Sequence, residues 1–489
     1  MEDVKSAPVE NVVSEEVTGE LQQPSKEGVV APRSMGQDAI PDLLKVGEIE
    51  SNQLAHIDTE ILEPVIFSES FIRFQLTNKG FLNPYSRLCF QLKNSNAGGN
   101  PTSVLPINVG VGSLFQRVIL KVGGKTICEI DDFNHFYAYK SMFVAGELNK
   151  EREAFLTGRQ MSHIQYYGKA DGAAGADHIG NVSSRVGLET HKENFGADLE
   201  PSNYQKVNND GVFSITLEDL LPVFRSTAMP LYMLAPDQAV QIELVMANEL
   251  DRIALADGSA QGAGEITLDR TSCRMIADHT TYDQSSMDEY AAANPVLSWS
   301  YMDYQLSKTA YANPAAASNT IRNIGGAGRL VPRVFNGLSL NTASNANLLN
   351  KFEASALNAS ATEYGLLTTN IKKNDKFLYP IDRSSTPLHF HSVKDTEMFL
   401  PIVSRAEYSR QGNVTTGYGY MGRPQNAQVD GKFFWNAYKL NDGERVGSRG
   451  LELHNKYVTL PAGAYTGRCW IECIKVAVLE NGRFDCYFA

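Results

Sequence analysis

FIRFQLTNKGFLNPYSRLCFQLKN (residues 71–94) and SLFQRVILKVGGKTICEIDDFNHFYAYK (residues 113–140) are the stretches whose reading decides the fold. Both consist of short runs that alternate apolar and polar residues, parted by turn residues. An alternation with period two puts one face of a strand on a core and the other in water. Gly123-Gly124 falls between two such runs and predicts a tight hairpin. DDFNHFYAYKSMFV (131–144) breaks the alternation and predicts a short helix.

A partner block lies at 212–247, VFSITLEDLLPVFRSTAMPLYMLAPDQAVQIELVMA. Over 238–247, Val240, Ile242, Leu244 and Met246 fall on one side. Gln241 and Glu243 fall on the other, outward or toward a neighbouring layer. Over 212–219, Phe213, Ile215 and Leu217 alternate with Ser214, Thr216 and Glu218. A second strand-rich set begins near 295, in LSWSYMDYQL, RLVPRVFNGLSL, GKFFWNAYKL, LELHNKYVTL and GRCWIECIKVAVLENGRFDCYF. Asn336-Gly337, Asp430-Gly431 and Asn481-Gly482 read as hairpin turns there. The aromatics Trp299, Tyr301, Phe433, Trp435 and Trp470 alternate with polar residues and read as packing within or between sheets.

Two consecutive antiparallel β-sandwiches of the jelly-roll kind are the economical reading. The domain boundaries expected are 1–54 for an acidic N-terminal arm, 55–290 for the first jelly roll and 291–489 for the second. A long loop insertion is expected at 145–211, with further loops at 341–362 and 403–430. Residues 1–50 lack aromatics and hold eleven acidic against four basic side chains, a net of −7 out of −12 for the chain. That composition predicts a flexible arm.

The rest of the composition narrows the function. Of 489 residues 43 % are apolar and only 20 % are charged, below the usual quarter, so the chain can form large weakly charged surfaces. No basic excess offers a nucleic-acid surface. The six cysteines form no CxxC pair, and Cys469 and Cys473, four apart in one predicted strand, would have Cα atoms roughly 13 Å apart, too far for a disulfide. Free thiols are expected. MEDVKSAP has no apolar core, so no secretory leader is expected and the sequons at Asn181, Asn358 and Asn413 read as chance matches. No run of 18 apolar residues predicts a membrane span.

GGKT (123–126) ends like a phosphate loop, but Ile119 stands where the first glycine belongs, and TICEI reads as a strand where a helix should follow. NIGGAGRL (323–330) lies between β-type segments and reads as a loop. His389 and His391 point to one face if extended, with Glu397 beyond, as in a cupin metal site. Arg383 replaces the glycine of that motif, and no histidine follows Pro461-Ala462-Gly463. They read as surface or interface histidines. No nucleophile elbow and no HExxH occur. The expectation is no catalytic, cofactor-binding or metal residues, no cofactor, and no enzyme.

The stretches IRFQLTNKGFLNPYSRLCFQL, LKVGGKTICEIDDFNHF and LLPVFRSTAMPLYMLAPDQAVQIEL resemble the double jelly-roll major capsid proteins of polinton-like viruses and virophages. IKKNDKFLYPIDRSSTPLHFHSV and the terminal CWIECIKVAVLENGRFDCYF extend the resemblance over roughly residues 55–489. The resemblance implies a structural protein of a double-stranded DNA virus. Such a chain trimerises into pseudo-hexameric capsomers, tiles an icosahedral shell assembled inside the host cell, and meets penton and minor capsid proteins but no specific nucleic-acid sequence. A cupin-like metal enzyme and a carbohydrate-binding β-sandwich are the alternatives.

Overall fold

The computed structural model describes residues 55–94, 103–104, 109–144, 156–157, 212–225, 228–248, 254–255, 266–312, 319–340, 366–382, 436–440, 443–457 and 464–489. In the first half the strands are β1 (His56–Leu62), β2 (Ile66–Phe67), β3 (Phe71–Leu76), β4 (Phe81–Leu82), β5 (Arg87–Asn94), β6 (Ser103–Val104), β7 (Phe115–Val122) and β8 (Lys125–Asp131). They continue as β9 (Val212–Thr216), β10 (Met229–Pro230), β11 (Val240–Met246), β12 (Ala254–Leu255), β13 (Ile266–Leu268) and β14 (Arg274–Thr281). Helix α1 (Phe133–Val144) follows β8, the short α2 (Leu217–Leu220) follows β9, and α3 (Gln284–Ala293) leads into the second half. There the strands are β15 (Val296–Ala312), β16 (Asn319–Gly325), β17 (Arg333–Leu340), β18 (Leu366–Lys373), β19 (Lys376–Phe377), β20 (Asn436–Lys439), β21 (Leu451–Tyr457), β22 (Ala464–Glu480) and β23 (Arg483–Phe488).

No described sheet mixes strands from the two halves. Sheet I runs β10-β4-β14-β5-β13, with β1 on β14 and β9 on β5. Sheet II runs β2-β3-β11-β7-β8. Their facing sides share one core, with Phe74, Leu120 and Ile242 from sheet II and Leu88, Phe90 and Met275 from sheet I all fully buried. Sheet III runs β15-β22-β17-β20 with β23 on β22, and sheet IV runs β16-β21-β18-β19. A smaller core of Val334, Tyr438, Leu453, Cys469 and Ile471 lies between them. Every described pairing is antiparallel, the all-β architecture the alternation predicts.

Gly123 and Gly124, at φ +56° and +81°, turn β7 into β8. Two successive positive φ values are what a two-residue hairpin needs to match strand twist. Asn481 and Gly482 repeat the solution between β22 and β23, at φ +51° and +76°. The Gly482 carbonyl accepts the Ala235 N–H at 2.8 Å, and a Cβ on Gly482 would come within 3.0 Å of that nitrogen. Gly482→Ala is therefore expected to cost about 1–2 kcal/mol through its left-handed backbone, with the close approach adding to that. A thermal melt beside Gly124→Ala, whose Cβ would meet nothing within 4 Å, separates the two contributions.

Two expectations need correction, and a third residue, Glu243, lies on the side expected but is covered there. Asn336-Gly337 is not a turn. Both residues lie inside β17, opposite Cys469 and Arg468 of β22, and sheet pairing overrides the local preference. The hairpin is instead made by Asn374 and Asp375, at φ +52° and +63°, between β18 and β19. The alternation over 212–219 ends as a strand at Thr216, because Leu217 begins α2 while still packing into the core. Glu243 is not exposed: it retains 3 % of its accessible surface. It does face away from the core, but Arg73 (2.7 Å) and Lys121 (2.8 Å) close over it from both neighbouring strands. The loop expected at 145–211 lies outside the described residues apart from 156–157. Those at 341–362 and 403–430 lie wholly outside them.

Candidate functional site: the junction between the two sandwiches

Strand β8 is the edge of sheet II, and an edge strand carries backbone groups with no ladder partner. Here the second half supplies partners from its side chains. The Tyr301 hydroxyl and the Lys475 ammonium donate to the Ile127 carbonyl at 2.8 and 3.1 Å, and the Trp470 indole donates to the Asp131 carbonyl at 3.4 Å. The edge is thereby closed by residues of β15 and β22.

Beside it lies a buried ionic network. Asp132 follows β8 in a left-handed conformation, φ +49°, which an aspartate tolerates better than most residues. Its Oδ2 receives the Arg468 Nε at 2.8 Å and the Lys308 ammonium at 2.8 Å, and its Oδ1 receives the Gln116 amide. Glu472, fully buried on β22, accepts from the Tyr304 hydroxyl at 2.7 Å and from Arg333 at 3.1 Å. Asp303 meets Lys475 at 2.8 Å. Phe136 of α1 packs against Tyr304 and Trp470, with ring centroids 4.6 and 5.8 Å apart, and so adds an apolar contact between the halves. Lys125 reaches Asp485 at the rim.

Burial acts upward on the Asp132 carboxyl, but Arg468, His135 and the hydrogen bonds from Lys308 and Arg468 outweigh it and hold its pKa at about 2. Burial prevails at Asp303, whose pKa lies above the ordinary value despite Lys475. A carboxyl depressed on folding contributes stability that is complete above its unfolded pKa of about 3.9 and disappears as pH falls through the folded value. Between about pH 4 and pH 2 the junction should thus lose roughly 2 kcal/mol through Asp132. Urea midpoints measured across this range should fall in the parent protein and fall less in Asp132→Asn, which starts lower.

The places singled out for chemistry fall elsewhere. GGKT is the β7–β8 hairpin, and Lys125 opens a strand, not a helix. NIGGAGRL begins in the last three residues of β16 and continues as a hydrogen-bonded turn, in which Gly328 N–H donates to the Val446 carbonyl at 2.8 Å and Arg329 stacks on Phe488 at 3.9 Å. His389, His391 and Glu397 lie outside the described residues, as do Phe433 and Trp435. Trp299, Tyr301 and Trp470 are buried in packing, and all six cysteines are free. Among the described residues no helix is long and apolar enough to cross a membrane. The junction residues were not read from the sequence. The available signal was Arg468, Glu472 and Lys475 inside the otherwise apolar strand GRCWIECIKVAV.

No family model matches the chain, and no curated protein matches it in sequence. Solved structures do match. The chain is similar over 99 % of its length to a chain of the Sputnik virophage structure, covering 94 % of that chain at 14 % identity with a TM-score of 0.55. It is similar to the mavirus major capsid protein over 99 % of this chain and 97 % of that one, at 12 % identity and a TM-score of 0.51. A chain of the PBCV-1 virus capsid is covered to 98 %, at 12 % identity and a TM-score of 0.53. The fold is the double jelly roll of these capsid proteins.

Proposed function

We propose that this chain is a structural major capsid protein and not an enzyme, a brick of the shell of a double-stranded DNA virus. The observation that carries the reading is the likeness to virophage and PBCV-1 capsid chains over nearly the whole length of both partners. The junction adds a physical reason. Two sandwiches tied by the buried Asp132–Arg468 pair and a capped strand edge behave as one rigid unit, as a shell tile requires.

In this reading the chain divides into an arm (1–54), a first jelly roll (55–290) and a second (291–489). Three copies form a pseudo-hexameric capsomer, and capsomers assemble inside the host cell with penton and minor capsid proteins, as in polinton-like viruses and virophages. Sheet membership supports the division, since it changes between β14, ending at Thr281, and β15, beginning at Val296. Electron microscopy of the purified protein should reveal pseudo-hexagonal tiles or closed particles. Persistent monomers at every concentration and salt tested would overturn the reading. A protein beginning near residue 51 should remain soluble and trimeric yet assemble aberrant shells. Unfolded precipitate would place the arm in the core.

A further inference from the structure

We infer that Lys475 and Asp303 become joined within the folded chain by an isopeptide bond between the Lys475 Nζ and the Asp303 side-chain carboxyl, a covalent link from β22 to β15. The inference goes beyond the shell reading and does not depend on it.

The sheet sets the two groups against each other. In the β15–β22 ladder Tyr301 stands opposite Lys475 and Asp303 opposite Cys473, so Lys475 and Asp303 are diagonal neighbours on one face. The Nζ lies 2.8 Å from Asp303 Oδ2, and the two side chains keep only 12 % and 6 % of their surface. Among the described lysine–carboxylate pairs this is the only one so deeply buried on both sides. The Phe488 ring lies 4.7 Å from the Nζ, and the Ile127 carbonyl of β8 fixes it from the other half.

Burial of this kind strips hydration from both charges, which favours the neutral amine and acid over ammonium and carboxylate. The Asp303 carboxyl shows that direction, since burial holds its pKa above the ordinary value despite Lys475. The other buried carboxylates each lack a requirement. Glu472 faces Arg333, whose guanidinium stays charged and is no nucleophile. Asp132 is held ionised by Arg468, and its lysine partner, Lys308, is half-exposed. Glu243 is shared between Lys121 and Arg73.

The reaction needs no oxidant and no co-reactant. One proton passes from the Lys475 ammonium to the Asp303 carboxylate. The freed amine attacks Cγ and gives a second proton to the departing oxygen; the Cγ–O bond breaks and one water leaves. Negative charge gathers meanwhile on the oxygen that stays. Oδ1 is buried with no hydrogen-bond partner, while the Cys128 thiol and the Glu129 N–H of β8 face the same carboxyl as donors for that charge. Holding amine and carboxyl in contact replaces a bimolecular encounter with an intramolecular step.

Peptide mapping of the purified full chain by mass spectrometry tests this. Trypsin should fail to cut after Lys475, and residues 469–483 should stay joined to residues 275–308 in a branched product. Its mass should fall one water, about 18 Da, below the sum of the two peptides. Separate peptides with cleavage after Lys475, from protein kept folded, overturn the proposal. A water lost from 275–308 alone overturns it too, because that is a succinimide at Asp303. A variant gives the second measurement. Lys475→Arg keeps the charge and the ion pair but cannot form the amide, so its peptides should be linear and of full mass. A missing water that persists in Lys475→Arg lies elsewhere in the chain and also overturns the bond.

Discussion

Ile242→Asp should lower the unfolding free energy by about 4–5 kcal/mol, since it places an unpaired carboxylate where no polar group faces it. Ile242 is fully buried on the central strand of sheet II, opposite Phe74 of β3 and Leu120 of β7. Its neighbour Glu243 is the informative control. Exposure at that site would make Glu243→Gln nearly neutral. The structure instead covers the carboxylate with Arg73 and Lys121, so a loss of about 1–2 kcal/mol is expected, moderated because both cations keep about 30 % of their side-chain surface. Chemical denaturation of the two variants checks the ratio. Equal losses would mean that both faces of β11 are covered alike. A larger loss at Glu243 would reverse the register of the strand.

Arg468→Ala should cost about 3 kcal/mol, because it removes one partner from a buried pair and leaves Asp132 with the half-exposed Lys308 and the Gln116 amide. Arg468→Met, which refills the space without the charge, should cost nearly as much while Asp132 remains. The double change Arg468→Met with Asp132→Asn should recover part of the loss. Calorimetry adds a second readout. If the network couples the two sandwiches, Arg468→Ala should split one transition into two, whereas a single transition with merely lower Tm would make the pair a local contact.

The fold was largely legible in the sequence because half-buried strands betray themselves locally. The alternation in 238–247 places Val240, Ile242, Leu244 and Met246 in the core, and Gly123-Gly124 and Asn481-Gly482 turn where hairpin chemistry requires. What failed depended on distant residues. Asn336-Gly337 has turn composition, but β20 and β22 both pair with that stretch of β17 and hold it straight. Glu243 has the pattern of an outward residue, and only the three-dimensional placement of Arg73, 170 positions earlier, shows that it is covered. The pairing at the junction was hidden for the same reason: Asp132 and Arg468 are 336 positions apart, and nothing local marks either as the other's partner.

The capping of β8 also sets a timetable for biosynthesis. The groups that close this edge come from Tyr301, Trp470 and Lys475, and β22 supplies two of the three. β22 also holds β15 along all seventeen residues, by pairings as distant as Val296 with Glu480. On the ribosome the first sandwich is complete in sequence long before β22 emerges. Throughout that interval its open edge is a template for pairing with neighbouring nascent chains. In the proposed shell role the chain is translated in many copies side by side, and the late-made β22 then withdraws the first half from aggregation. Pairings of such long sequence separation also form slowly. Chaperone demand should therefore concentrate on chains stalled before residue 464, and completed chains should escape it.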